Sequence, residues 1–204
     1  MSVKPILFNT EMVRAILDGR KSCTRRIVKP QKEKKFMFKP YCNMTDIELI
    51  NTAYKSPYQM GDILYVRESV WQKLGFSLNI DGETEPSWYD EFKYVASDEK
   101  PKIGWNYSWS KRPSIHMPKK AARLWLRVTD VRVERLQEIT EVQAQTEGCN
   151  SGLLTGACTA RGQFEDLWNS TIKKSDLDCY GWNANPWVWV IEFERCDKPE
   201  SEEI

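Results

Sequence analysis

The chain has 204 residues, of which 41% are hydrophobic and 29% charged, and its formal net charge is +1. The length predicts one domain with an insertion or, alternatively, two small domains, and the composition is sufficient for a core and ordinary for a soluble protein. The sequence contains no run of about 18 apolar residues, so it predicts no membrane-spanning helix. The N-terminal residues lack the apolar stretch of a signal peptide, so we expect a cytoplasmic protein.

Metal and disulfide chemistry are not favoured by the residues present. The six cysteines form no C-x-x-C pair, and His116 is the single histidine of the sequence. A tetrahedral zinc site usually needs four such ligands at short spacings. We therefore expect reduced thiols, as is usual in the cytosol, and neither a metal nor another cofactor.

The small net charge conceals a segregation of charges along the chain. Residues 19–40 carry nine Lys/Arg and one acid, and residues 111–135 carry eight and two. Residues 81–99 carry seven acids and one lysine. Two basic segments brought together would form a positive surface suited to nucleic acid. Alternatively, the basic and acidic segments neutralise each other.

The first predicted elements are a short amphipathic helix and a strand. Asn9 or Thr10 can cap the start of the helix, and Gly19 lies where helices commonly end in a left-handed residue. The chain should then extend, because residues 27–28 favour a strand.

This predicted strand begins with a basic motif. Thr24 and Arg26 point to the same face of an extended chain, and Lys21 lies at the turn before them. An ammonium, a hydroxyl and a guanidinium therefore reach one neighbourhood that can receive an anion or a polarised carbonyl. The alternative is a solvated basic turn that favours the helix C-terminus electrostatically.

A carboxylate interrupts the apolar face of the next predicted strand, residues 63–71. Glu68 shares that face with three aliphatic side chains. A carboxylate in apolar surroundings needs a cationic or hydrogen-bonding partner, and we predict Lys21 or Arg26. Alternatively, Glu68 lies at the rim of the fold, paired with Arg67 or water.

The segment from about 73 to 113 is predicted to be an aromatic-rich insertion. Residues 92–96 favour a strand, and residues 105–112 are predicted to form a loop. Exposed aromatic side chains beside basic residues can stack nucleic-acid bases. The alternative is that these aromatic side chains pack over the domain as a lid.

The C-terminal half predicts two strands and two helices. The predicted elements are a strand over 123–133, a capping-box helix from Thr140 to Gly148, a helix over 160–172, a loop over 176–185 and a strand over 187–194. We expect residues 199–204 to be a disordered acidic tail.

His116 lies near the start of a basic strand. We expect it either to contact a ligand or to make a structural hydrogen bond.

The basic motif, read as G-x-K-x-x-T-x-R over 19–26, resembles the signature of ASCH domains, which belong to the PUA-like superfamily. Three further stretches resemble the phage and prophage branch of that family. They are Gly61–Glu68, Ile115–Pro118 running on to Arg123–Leu126, and Pro186–Ile191. The resemblance implies an α+β fold, a small PUA-like β-barrel with flanking helices, in a single domain over residues 1–198.

The same resemblance implies that the basic motif lines a cleft that binds RNA, a nucleotide or a modified base. A nucleic acid, nucleoside or nucleotide is therefore the expected partner. The residues expected to contact the ligand are Arg20, Arg25, Arg26, Arg67, Trp71 and His116, and Lys21 would share in binding phosphate.

Catalysis is an alternative that the resemblance also implies. In an amidohydrolase that removes an acyl group from the exocyclic amine of cytidine, Thr24 would be the nucleophile. Lys21 would be its base or oxyanion stabiliser, and Glu68 would orient the lysine. A ribonuclease would use Lys21 with another acid–base partner. A phage protein-interaction module without a small ligand is a further alternative.

Overall fold

The protein is described by a computed structural model that covers residues 2–29, 45–78, 80, 82–97, 101–104, 107–150 and 159–200. Its contacts divide the chain into two units. Unit 1 contains Gly19–Asp62 and Arg127–Glu194, and unit 2 contains Ser2–Asp18, Ile63–Leu126 and Arg195–Ile204.

The described residues form a mixed α+β structure, as the sequence predicted. The strands are β1 (Val3–Leu7), β2 (Cys23–Ile27), β3 (Ile63–Arg67), β4 (Val70–Leu78), β5 (Thr84–Tyr94), β6 (Tyr107–Arg112), β7 (Trp125–Arg135) and β8 (Trp187–Cys196). The helices are α1 (Thr10–Leu17), α2 (Asp46–Ala53), α3 (Glu141–Thr146), α4 (Ala160–Thr171) and α5 (Leu177–Tyr180). None of these helices, nor any other in the described ranges, is long and apolar enough to cross a membrane.

The predicted small PUA-like β-barrel is not found. The eight strands lie in two sheets, and neither sheet closes on itself within the described residues. Closure would require the edge strands of one sheet to pair with each other.

In unit 1 the strand order is β7–β8–β2. Just before β2, Lys21 forms a bridge with Glu147 at the end of α3, so a helix terminus meets the chain there.

Unit 1 is built around the antiparallel pair of β2 and β8. Thr24 lies opposite Ile191, and Arg26 lies opposite Trp189. The prediction that Thr24 and Arg26 share a face of the strand is confirmed. The alternation of an extended chain places Arg25 on the other face, opposite Val190.

The core of unit 1 lies on the Arg25 face of this sheet. It is a buried apolar cluster to which α3, α4, β2 and β8 all contribute: Cys23, Leu136, Ile139, Ala144, Cys149, Ala160, Phe164, Trp168, Trp182, Val188 and Val190. Phe164 packs 6.0 Å from Trp168 and 6.3 Å from Trp182 between ring centroids. The two helices therefore cover the face from which Arg25 projects.

The predicted capping signals of α3 are confirmed. The Thr140 hydroxyl accepts a hydrogen bond from the Gln143 backbone N–H, and the Gln143 side chain accepts one from the Thr140 backbone N–H. Gly148 follows the helix with φ of 92°. These local bonds fix where α3 ends, and therefore where Glu147 lies.

Unit 2 contains the parallel pair of β1 and β3 and helix α1. The Asn9 side chain accepts a hydrogen bond from Met12 N at 2.8 Å, which confirms the predicted cap. The predicted strand over 63–71 is two strands, because the chain leaves the ladder after Arg67. There the Glu68 backbone N–H is directed to the Met117 sulfur at 3.2 Å.

The predicted insertion contributes most of a three-stranded antiparallel sheet in unit 2. The strand order is β5–β4–β6. The prediction of a loop over residues 105–112 was wrong where the structure describes it, because Tyr107–Arg112 is strand β6. The predicted loop over residues 176–185 contains helix α5. The strand predicted over residues 92–96 corresponds to the end of β5, which begins at Thr84 and ends at Tyr94.

Replacing Phe164 with alanine should lower the free energy of unfolding by about 3–5 kcal/mol, because its ring is 3% exposed between two tryptophans. Urea unfolding followed by circular dichroism measures the change. Val142→Ala on α3 is the matched control, since that side chain is 67% exposed and its loss should change stability by about 0.5 kcal/mol or less. Equal effects of the two substitutions would contradict the described core.

Candidate functional site

The central feature of the basic motif is the buried ammonium group of Lys21. Its Nζ donates to Glu147 Oε2 at 2.6 Å, to Cys23 O at 2.8 Å and to Glu147 O at 2.9 Å. The Lys21 side chain is 0% exposed. An ammonium has three N–H donors, and these three oxygens match them. Lys21 therefore joins β2 to the end of α3.

Glu147 also binds the second buried cation of the motif. Arg25 Nη1 lies 3.2 Å from Glu147 Oε1, and Arg25 Nη2 lies 3.2 Å from Glu134 Oε2. The Arg25 guanidinium is also 5.8 Å from the centroid of the Phe164 ring. We predicted a phosphate contact for Arg25, and its position between two carboxylates in the interior does not favour that role.

The residues that begin the motif cap the C-terminus of α3. Arg20 Nη1 donates to Gly148 O at 3.1 Å, and Ser22 N donates to Thr146 O at 2.9 Å. The last carbonyl groups of a helix lack partners within the helix, and cations are stabilised there by the helix dipole. Arg20, Lys21 and Ser22 therefore satisfy the end of α3.

The opposite face of β2 carries the hydroxyl and the remaining guanidinium of the motif. Arg26 Nη1 donates to Thr24 Oγ1 at 3.0 Å, and Thr24 is 1% exposed. Burial lowers the pKa of Arg26, while Tyr58 and Glu147 act in the opposite direction. Burial also raises the pKa of Tyr58. The Thr24 hydroxyl is therefore engaged and enclosed in this conformation.

Two thiols close to the motif are unsuited to nucleophilic chemistry at neutral pH. Burial, followed by the negative charge of Glu147, raises the pKa of Cys23 to about 12 and that of Cys149 to about 11. The thiolate is the reactive form of cysteine. Both side chains therefore act as apolar core residues.

An open cleft of about 660 Å³ lies beside the basic turn in unit 1. Its lining residues come from the turn before β2 and from α3 with the residues that follow it: Gly19, Arg20, Ser22, Val142, Gln145, Thr146 and Asn150. This lining contains a guanidinium, two amides and two hydroxyls, and none of its seven residues is acidic. The cleft can therefore offer hydrogen bonds to an anionic polar ligand.

Glu68 is buried, as predicted for a carboxylate on an apolar face, but its partner is not the one predicted. It is 1% exposed and accepts hydrogen bonds from Arg123 Nε at 2.8 Å and Arg123 Nη2 at 3.1 Å. Both residues belong to unit 2. The carboxylate that binds Lys21 is Glu147, so Glu147 takes the orienting position that we predicted for Glu68.

The other predicted ligand-binding residues lie in unit 2. Arg67 Nη2 donates to Ile115 O, and His116 is exposed in the short 3-10 turn Ser114–His116. Trp71 lies on β4, paired with residues of β5 and β6. The structure thus gives Arg67 a bond to the backbone of that turn, whereas Trp71 belongs to a separate surface.

Sequence reasoning missed Glu147, although a signal was present. Glu147 is the C-cap residue of α3, where a negative charge is disfavoured by the helix dipole. A carboxylate at that position indicates a cationic partner. Gln145, Thr146 and Asn150 carried no such signal, since they are ordinary polar residues near a helix end.

The chain is similar in structure to an ASCH domain. The matching structure is a high-resolution crystal structure of the ASCH domain from Lactobacillus crispatus JV V101. The two share 12% sequence identity with a TM-score of 0.46, over 95% of this chain and 79% of that chain. No family model and no curated protein sequence matches this chain.

Replacing Glu147 with glutamine should destabilise unit 1 more than replacing Lys21 with methionine. The first change leaves Lys21 without a counter-charge from Glu147 and should cost about 3–5 kcal/mol. The second leaves Glu147 with Arg25 at 3.2 Å and should cost on the order of 1–3 kcal/mol. Urea unfolding of the two variants measures the difference.

The control for these two variants is Asp130→Asn, which removes a half-exposed partner of Arg132 in the same unit. It should change stability by about 1 kcal/mol or less. If Glu147→Gln proved no more destabilising than Asp130→Asn, the buried ion pair would not hold β2 to α3.

Proposed function

We propose that unit 1 binds a nucleotide, either free or within a nucleic acid, in the cleft beside the basic turn. The observation that carries this proposal is the composition of the cleft lining. Arg20 supplies a positive charge, and the seven lining residues include no carboxylate. A phosphate group is therefore favoured electrostatically over a cationic ligand.

The size of the cleft is suited to a nucleotide. Its volume of about 660 Å³ lies within the range of about 300–1,000 Å³ that is usual for small-molecule sites. The exposed Arg20 guanidinium has a planar array of donors that matches phosphate oxygens. Its bond to Gly148 O positions it at the cleft.

The remaining polar lining is suited to the base. The side-chain amides of Gln145 and Asn150 each carry two donors and an acceptor oxygen. Such groups can bond to the edges of an unpaired base. The Ser22 and Thr146 hydroxyls add groups suited to the sugar. These residue types support a ligand with a phosphate, a sugar and a base edge.

In this proposal the buried residues of the motif do not contact the ligand but hold the turn that does. Lys21 and Arg25 are ion-paired in the interior, and they fix the turn that carries Arg20 and Ser22. We propose Arg20 as the phosphate contact, and we assign the predicted roles of Lys21 and Arg25 to positioning that turn.

The hydrolase alternative receives less support from these contacts. A general base needs a lone pair, and the Lys21 ammonium donates to three oxygens. The proposed nucleophile, Thr24, is 1% exposed and accepts a hydrogen bond from Arg26. Hydrolysis would require both side chains to leave these partners.

Isothermal titration calorimetry with the four common ribonucleoside 5′-monophosphates tests the proposal. At least one monophosphate should bind, and Arg20→Ala should weaken it by about tenfold or more, because a charge-assisted hydrogen bond is lost. The same variant should affect the matching nucleoside much less. Gln145→Ala should weaken both the monophosphate and the nucleoside.

Lys174→Gln is the matched control, since Lys174 is an exposed cation of the same unit outside the cleft lining. It should leave every affinity unchanged. Equal losses from Arg20→Ala and Lys174→Gln would show only general attraction of anions. Release of acetate from N4-acetylcytidine, lost on Thr24→Ala, would replace the binding proposal by the hydrolase alternative.

A further inference from the structure

One face of the three-stranded sheet in unit 2 carries alternating aromatic and lysine side chains. Its residues come from β4, β5 and β6 and are called the aromatic–lysine face here: Trp71, Lys73, Tyr89, Lys93, Tyr107, Trp109 and Lys111. Trp71 was predicted to contact a ligand, and the aromatic side chains of the insertion were predicted either to stack bases or to form a lid.

The strand register places these side chains on one side of the sheet. On β4, Trp71 lies opposite Lys111 of β6 and Lys93 of β5, and Lys73 lies opposite Trp109. Every second residue of a strand points to the same face. The sequence Tyr-Ser-Trp-Ser-Lys of β6 therefore places its two aromatic rings and its lysine together.

The opposite side of the sheet is the packed side. Val70 lies in a buried cluster with Met117 and Ala121, against which Phe92 and Tyr94 pack. Val70 is one residue away from Trp71, so it points to the other face. The core thus covers Phe92 and Tyr94 on that side, whereas the aromatic–lysine face has no such partner in the core clusters of the described residues.

The lysine head groups lie over the aromatic rings. The distances from Nζ to ring centroid are 5.9 Å for Lys111 to Trp71, 5.5 Å for Lys93 to Trp109, 5.4 Å for Lys73 to Tyr89 and 4.8 Å for Lys73 to Tyr107. All four lie within the usual cation–π range. The surface therefore presents flat π systems and positive charge together.

A glycine allows one of these rings to lie against the backbone of the sheet. A Cβ atom at Gly75 would come within 2.2 Å of Tyr89 Cε2, so any larger residue would displace the ring. Tyr89 is 45% exposed. The Tyr89 ring thus lies against the strand at Gly75 and remains partly exposed.

The charge of the face is positive although an acid, Glu91, lies on the same side of the sheet. Lys73 is paired with Glu91 at 2.8 Å, which neutralises one of the three lysines. Lys93 and Lys111 supply the remaining charge, and Lys111 is exposed. The expected partner is therefore an anion that also carries flat apolar groups.

We propose that the aromatic–lysine face binds single-stranded nucleic acid, with bases stacked on Trp71 and Trp109 and phosphates bound by Lys93 and Lys111. Unpaired bases expose the π faces that such rings need, whereas a duplex encloses them. An acidic peptide would use the charges and leave the four rings without a matching partner. This proposal is independent of the cleft in unit 1.

The lysine positions of the free protein are compatible with this binding. An exposed cation–π contact is weaker than the stacking of a base on an aromatic ring. A base can therefore displace the ammonium group from the ring, and the flexible lysine stem lets that group bond to a phosphate. From Tyr107 to Lys111 the face extends about 13 Å along β6, enough for a short stretch of bases.

Titration of the 204-residue chain with oligo(U) or oligo(dT) of about 12 nucleotides tests the proposal. Tryptophan fluorescence should be quenched on binding, and the matching duplex should bind more weakly. Trp109→Ala should weaken binding by about tenfold or more. Trp88→Ala is the matched control, since Trp88 lies on β5 opposite Leu74, on the other side of the sheet, and is 45% exposed.

The lysines are tested by the salt dependence of the affinity, which does not depend on removing a large side chain. The slope of log K against log salt should become less steep by about 0.7 for Lys93→Gln and again for Lys111→Gln. Lys174→Gln, in unit 1, should leave the slope unchanged. Circular dichroism confirms that each variant is folded.

Three results would overturn the proposal: no binding of the wild type, equal affinity for the duplex, or equal losses from Trp88→Ala and Trp109→Ala. The test also separates this face from the cleft. Loss of oligonucleotide binding in Arg20→Ala alone would support the cleft and reject the face. Loss of oligonucleotide binding in the face variants, but not in Arg20→Ala, would support this proposal whether or not the cleft binds a nucleotide.

Discussion

Unit 1 depends on the buried ion pair between Lys21 and Glu147. The 2.6 Å contact joins the start of β2 to the end of α3, and Arg25 extends it to Glu134. Such groups lose their hydration in the interior, so each requires its partner. Removal of one partner therefore costs more than the net value of the pair. The rest of unit 1 packs on this arrangement: α3 and α4 cover the Arg25 face of the sheet.

The ion pair also changes which residues of the basic motif are expected to contact a ligand. The motif is basic, but Lys21 and Arg25 form buried ion pairs. The Thr24 hydroxyl accepts a hydrogen bond from Arg26. Arg20 is exposed at a cleft without carboxylates in its lining, and the lysines of the aromatic–lysine face carry positive charge on the sheet of unit 2. Each unit thus has its own surface suited to a nucleotide ligand. One surface combines a guanidinium with amides, and the other combines aromatic rings with lysines.

Local signals in the sequence predicted local structure well. Asn9, Gly19 and the Thr140–Gln143 capping box predicted helix ends, because capping depends on neighbours within four residues. The alternation of a strand predicted the shared face of Thr24 and Arg26. Partner identity was not predictable in the same way: Glu147 lies 126 residues from Lys21, and no periodicity relates them. Strand β6 was missed although Tyr107, Trp109 and Lys111 alternate with serines and aromatic residues favour strands, because the whole aromatic and polar segment 105–112 was interpreted as a loop.

In the proposed site Lys21 has a structural role and Arg20 faces the ligand. Proton–nitrogen NMR of the lysine ammonium and arginine guanidinium groups, during titration with the nucleoside monophosphate that binds best, distinguishes these two roles. We predict a slowly exchanging Lys21 ammonium signal in the free protein that stays in place, while the Arg20 Nε–H signal shifts with saturation. An absent Lys21 signal, or one that shifts as much as that of Arg20, would contradict the account.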